Sequence, residues 1–110
     1  MEEKKAIKNV FISQPMTGKS KAKIMRTRKN AQNYIKNRFP NSKIHIINNI
    51  FDDFDGNEVK YLGKAIMEGM SAADIVVFTK GWEESKGCMC EHQVAITYGL
   101  ECLYTVGNKP

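Results

Sequence analysis

The segment Gly81-Trp82-Glu83-Glu84-Ser85-Lys86-Gly87-Cys88-Met89-Cys90-Glu91 sets a carboxylate into an otherwise apolar helical stripe. With a helix beginning near Ser85 or Gly87, Cys88, Glu91, Val94, Ala95 and Tyr98 share one face. All but Glu91 suit a core. A carboxylate there must be paired, neutralised or used, unless it lies at the edge of the stripe and reaches solvent. The flanking residues favour use. Ser85 can cap the helix or donate to an anion, Gly87 permits close backbone approach, and the unbonded amides of a first turn attract a negative group. Glu91 would sit roughly one turn deeper. A phosphate or ribose anchored beside a carboxylate suits attack on an anomeric carbon. Such attack gives a covalent glycosyl intermediate through an oxocarbenium-like transition state.

A second candidate loop contains Gly18-Lys19-Ser20, the tail of a phosphate-binding P-loop. The full pattern needs a glycine five positions before Gly18, where Ser13 stands, and Pro15 removes a backbone donor. Nucleoside triphosphate hydrolysis is therefore rejected. Backbone amides near Thr17 and Gly18 remain candidates for facing a polar ligand.

These loops need elements to hold them. Ile7 to Ser13 reads as a short buried strand through Val10, Phe11 and Ile12, and Gln14 to Gly18 as a turn. A helix is expected over about Ser20 to Asn37, with Ile24, Ala31 and Ile35 inward, and a strand over Lys43 to Asn48. An acidic turn segment, Asn49 to Asn57, precedes a helix expected over Glu58 to Met70, with Leu62, Ile66 and Met70 inward. Met67 and Met70 are read as core gap fillers. Ile75 to Phe78 is the third strand, Gly99 ends the last helix as its C′ residue, and Leu100 to Val106 is a final strand. Alternating strands and helices imply an α/β, flavodoxin- or Rossmann-like three-layer sandwich, with a mostly parallel sheet of four to five strands. Ligands of such sheets bind beyond the carboxyl ends of the strands at the switch point, where both loops would lie.

The 110 residues make one domain, 1–110, of ordinary apolar and charged content. No apolar run approaches the roughly 20 residues of a membrane span. Met1 to Lys5 leads into a strand-like segment without a secretory pattern, so a cytoplasmic protein is expected. Cys88, Cys90 and Cys102 are an odd count, and Cys-x-Cys on a helix points its thiols apart; free thiols are expected, with no metal. The net charge of +5 is concentrated in Lys19, Lys21, Lys23, Arg26, Arg28, Lys29, Lys36 and Arg38, on or beside the first helix. This reads as a solvated face. Nucleic-acid binding is the minority reading, because no aromatics interleave with the charges.

Phe11-Ile12-Ser13-Gln14-Pro15-Met16-Thr17-Gly18, Ala73-Asp74-Ile75-Val76-Val77, and Gly81-Trp82-Glu83-x-Ser85-x-Gly87-x-x-x-Glu91 with Ala95 and Gly99 together carry a family resemblance. The chain resembles the nucleoside 2-deoxyribosyltransferase-like superfamily over nearly its whole length, particularly short single-domain phage and bacterial members. The resemblance implies that Glu91 is the nucleophile cleaving the N-glycosidic bond, and that Ser13 to Gly18 surround sugar and base. Deoxyribosyltransferases carry an aspartate six residues before this glutamate; Ser85 stands there, as in the related deoxynucleoside 5′-monophosphate N-hydrolases, whose serine contacts the phosphate. A nucleoside or nucleotide partner, no cofactor and a homo-oligomer are implied. Trp82 would stack on a base or cover a sheet edge.

One position departs from the family. A proton-donating carboxylate usually lies eight residues before the strand 3 aspartate, and counting back from Asp74 gives Ile66. Glu68 is turned about 200° around the helix from it. Asp52, Asp53 or Asp55 would have to substitute from the preceding loop; otherwise the protein is a non-catalytic nucleotide-binding module. Asp74 itself reads as a turn residue at the start of its strand.

Overall fold

The computed structural model describes residues 6–106. The reading of Met1 to Lys5 lies outside them. Four strands form one sheet in the order β2-β1-β3-β4, with β1 spanning Ile7–Ser13, β2 Lys43–Ile46, β3 Ile75–Phe78 and β4 Glu101–Tyr104. Every pair is parallel. Helix α1 (Lys21–Arg38) covers one face; α3 (Lys86–Thr97) and the residues that follow α2 (Glu58–Lys64), through Ala65 and Met70, cover the other. This is the doubly wound α/β sandwich expected of alternating strands and helices. Among the described residues no helix is long and apolar enough to cross a membrane.

The period-2 alternation of a strand sorts the core into its two halves. Val10 and Ile12 of β1 pack with Ile75, Val77, Ala31 and Ile35 on the α1 side. Phe11 packs with Val76, Phe78, Ala65, Met70 and Ala95 on the other side. β1 and β3 are central and buried on both faces, which is why they read as continuous apolar runs. The register pairs Ser13 with Phe78, so the loops after β1 and β3 leave the sheet at one level.

The helices start where their caps are. Ser20 accepts from the Lys23 amide and Asn57 from the Lys60 amide. α3 ends in a Schellman turn: Gly99, at φ +74°, lets its own amide reach Ile96 and the Leu100 amide reach the Ala95 carbonyl.

Several expectations are corrected by tertiary contacts. The helix expected to Met70 is α-helical only to Lys64, then passes through a π turn (Ala65–Gly69) and a 3-10 turn (Met70–Ala72). Gly69 lies so close to β1 that a Cβ there would sit 2.7 Å from Phe11 Cε2. Met67, expected as a core gap filler, faces solvent at 71 % exposure, while Met70 is buried. Tyr98, expected in the core, is the C-cap of α3 and is 79 % exposed. The second strand stops at Ile46 rather than Asn48, because the Asn49 side chain turns inward and donates to the Ile12 carbonyl at 2.9 Å. The final strand is likewise shorter than expected, ending at Tyr104.

Arg28 departs furthest from its sequence reading. Rather than joining the solvated basic face it is buried, donating to Asn49 Oδ1 at 2.8 Å and to the Ile47 carbonyl at 2.7 Å. Burial lowers its pKa from the ordinary guanidinium value. The three cysteines are free thiols, with Cys88 buried and Cys90 exposed.

Candidate functional site

The site begins with β1. Its alternation points Ser13 to the α3 side of the sheet, where its hydroxyl donates to Glu91 Oε1 at 2.6 Å. Glu91 comes from the buried stripe Cys88, Glu91 and Ala95 of α3. That helix starts at Ser85, whose side chain accepts from the Cys88 amide at 3.3 Å. Glu91 is 8 % exposed, so it is inside the stripe rather than at a solvated edge. Burial raises its pKa from 4.5 to about 7, and the Ser13 bond opposes the rise. Burial also raises the Cys88 pKa, against the opposing Ser13 and Ser85 hydroxyls. The position therefore holds a neutral thiol rather than a thiolate at pH 7.

Beyond the carboxyl ends of β1 and β3 lies a cleft of about 390 Å³. Pro15 and Thr17 form part of one wall, and Gly81, Ser85 and Gly87 part of the other. A Cβ built on Gly87 would meet nothing within 4 Å, so this turn of α3 is open to the cleft. Lys19, Lys80 and Lys86 line it as well, with Glu58 and Glu84 as its carboxylates. Ser13 and Glu91 are not on its wall; Glu91 lies one turn of α3 deeper than Gly87.

The other residues singled out from sequence are dispersed. Gln14 is buried and donates to the Ile24 carbonyl at 2.9 Å, tying the loop to α1, while its Oε1 has no partner among the described residues. Met16 is half-buried and Gly18 exposed, and neither lines the cleft. Trp82 packs on Phe78, His92 and Tyr104, with its ring centroid 4.3 Å from that of His92. It covers the β3–β4 side of the sheet and is off the cleft wall.

Ile66 is half-buried against the core, and Glu68 is an exposed partner of Lys64 at 3.1 Å. Asp52 pairs with Lys21, and Asp53 and Asp55 are exposed and off the cleft wall. Asp74 accepts from the Asn9 amide at 2.8 Å, fastening the start of β3 to β1. Among the described residues no three His, Cys, Asp or Glu side chains cluster as metal ligands would.

Sequence reasoning missed Lys80, Lys86, Glu58 and Glu84 as cleft residues. Lys80 had a legible signal, since it follows β3 by two positions at the end of the sheet where ligands bind. Glu58 had none, because its segment is distant in sequence from both loops.

None of the curated proteins and none of the solved structures matches the chain. A family model described as a domain of unknown function (DUF4406) matches residues 8–104, and the chain belongs to that family.

Proposed function

We propose that this protein cleaves the N-glycosidic bond of a 2′-deoxynucleoside or its 5′-monophosphate, with Glu91 as nucleophile. The observation carrying this reading is the buried Glu91 carboxyl, held by Ser13 at 2.6 Å about one turn of α3 below Gly87 on the wall of a lysine-lined cleft. The substrate's phosphate or sugar hydroxyls bond Ser85 and the amides near Gly87, and the lysines balance a phosphate's charge. Glu91, in its ionised form, attacks C1′. The bond from C1′ to the base breaks, its electron pair leaves with the base, and a proton reaches the base from solvent or a cleft carboxyl such as Glu58 or Glu84. Water then attacks C1′ of the glycosyl ester to complete hydrolysis, and a second base in its place gives transfer.

A pKa of about 7 leaves a substantial ionised fraction at neutral pH. An anion in a poorly solvated site is stabilised by the positive charge that develops on the sugar ring, so it interacts more strongly with the transition state than with the substrate. No metal or organic cofactor enters this scheme. Reduced thiols fit a cytoplasmic setting, and self-association would close a cleft that a single chain leaves open.

A non-catalytic nucleotide-binding module is the second reading. It is favoured by Ile66 at the usual acid position and by the absence of Glu91 from the cleft wall. Chromatographic detection of free base separates the two. The full chain and Glu91→Gln are incubated with each deoxynucleoside and 5′-monophosphate, with and without a second base. Release by the wild type alone is expected; nucleotide binding without release supports the module instead.

A further inference from the structure

The α1 face of the sheet carries a second cleft of about 390 Å³, which shares only Lys80 with the cleft at the Ser85 loop. One wall is α1, through Thr27, Asn30 and Tyr34, which follow one another at i+3 and i+4 and so share a flank. The same spacing continues back to the exposed Lys23. The opposite wall is the end of the sheet, through Thr79, Lys80 and Thr105. Among the described residues Lys80 is its one lining cation and no carboxylate lines it. The first cleft, by contrast, carries Glu58 and Glu84.

Thr79 gives this cleft an unsatisfied buried hydroxyl. It is 2 % exposed, its amide bonds the Ser13 carbonyl, and its hydroxyl has no partner among the described residues. A buried hydroxyl without a partner is costly, and one lining a polar cleft is satisfied when a ligand oxygen enters.

We propose that this cleft is a second binding site, for a small phosphorylated sugar or polyol. Lys80 takes the phosphate, with Lys23 adding to the local positive potential. Thr79, Thr27, Thr105 and the Asn30 amide bond the ligand's oxygens, and the Tyr34 ring gives the sugar an apolar surface. Among the described residues no lining carboxylate opposes the anion. This site does not depend on the glycosidic reading of Glu91.

The test is a 1H-15N correlation titration of the full chain at constant ionic strength. The probes are inorganic phosphate, glycerol 3-phosphate and glucose 6-phosphate, with glucose as the uncharged control. Saturable shifts are expected at Thr27, Asn30, Thr79 and Thr105 with the phosphorylated probes, and none with glucose. Thr79→Val, similar in shape, should weaken binding about tenfold. Asn30→Ala, on an exposed helix surface, should weaken it as well without risk to the fold. Shifts confined to Thr17, Ser85 and Gly87, uniform unsaturable drift, or wild-type affinity in both variants would overturn the proposal.

Discussion

The Ser13 hydroxyl donates to Glu91 Oε1 across 78 residues of sequence, joining the end of β1 to the buried face of α3 at 2.6 Å. The carboxyl is thus held by the sheet in a place where its charge is poorly solvated. Its ionisation and the stability of the fold are therefore linked.

Stability should fall as pH rises from about 4.5 to about 7. Glu91 titrates at 4.5 when solvated and at about 7 when folded, because burial disfavours its anion. Between those values the folded chain binds the extra proton, so stability decreases with pH and levels off above about 7. Glu91→Gln keeps an acceptor for Ser13 and removes the titration. Urea unfolding should find it up to about 3 kcal/mol more stable than wild type at pH 8, with the difference shrinking by pH 5. Equal pH dependence in both proteins would contradict the buried-acid assignment.

Ser13→Ala removes the bond that opposes the rise, so Glu91 should titrate still higher. Carboxyl 13C shifts followed against pH would read this directly, and the destabilisation below pH 5 should be about 1–3 kcal/mol. Ser13→Thr, which restores a hydroxyl, should recover the wild-type titration. A Glu91 midpoint unmoved in Ser13→Ala would remove Ser13 from the account.

Arg28→Ala should destabilise the fold by about 2–4 kcal/mol, since it orphans Asn49 Oδ1 and the Ile47 carbonyl in the interior. Arg28→Lys should rescue only in part, because an ammonium lacks the planar fork that serves both acceptors. Midpoints of chemical unfolding would rank the three proteins, and a neutral Arg28→Ala would refute the buried-anchor role.

Gly69→Ala places a methyl 2.7 Å from the Phe11 ring. Overpacking of this kind should cost about 1–3 kcal/mol, and Phe11→Leu in the same chain should recover part of it. Additive losses in the double variant would mean that the two positions do not collide.

The parts of this molecule legible in sequence are those written in local pattern. β1 and β3 coincide with continuous apolar runs, because central parallel strands are buried on both faces. α1 was readable from its stripe and Ser20, and the end of α3 from Gly99. The π turn was not, since it accompanies the approach of Gly69 to Phe11 from another element. Arg28 looked like its lysine and arginine neighbours because its acceptors lie on the 47–49 loop. At the site, Glu91 stood out as a carboxylate in an apolar stripe. Its Ser13 partner, the cleft lysines and the inward turn of Gln14 depend on how β1 and α3 meet.

The proposed chemistry requires Glu91 to form a bond to the sugar. A 2′-fluoro-2′-deoxynucleoside 5′-monophosphate slows the oxocarbenium-like steps and allows the glycosyl ester to accumulate. Intact-protein mass spectrometry should find one added fluorosugar phosphate per chain, mapped by peptide fragmentation to Glu91 and missing from Glu91→Gln. Base release from the natural substrate without any adduct at Glu91, or an equal adduct on Glu91→Gln, would contradict the account.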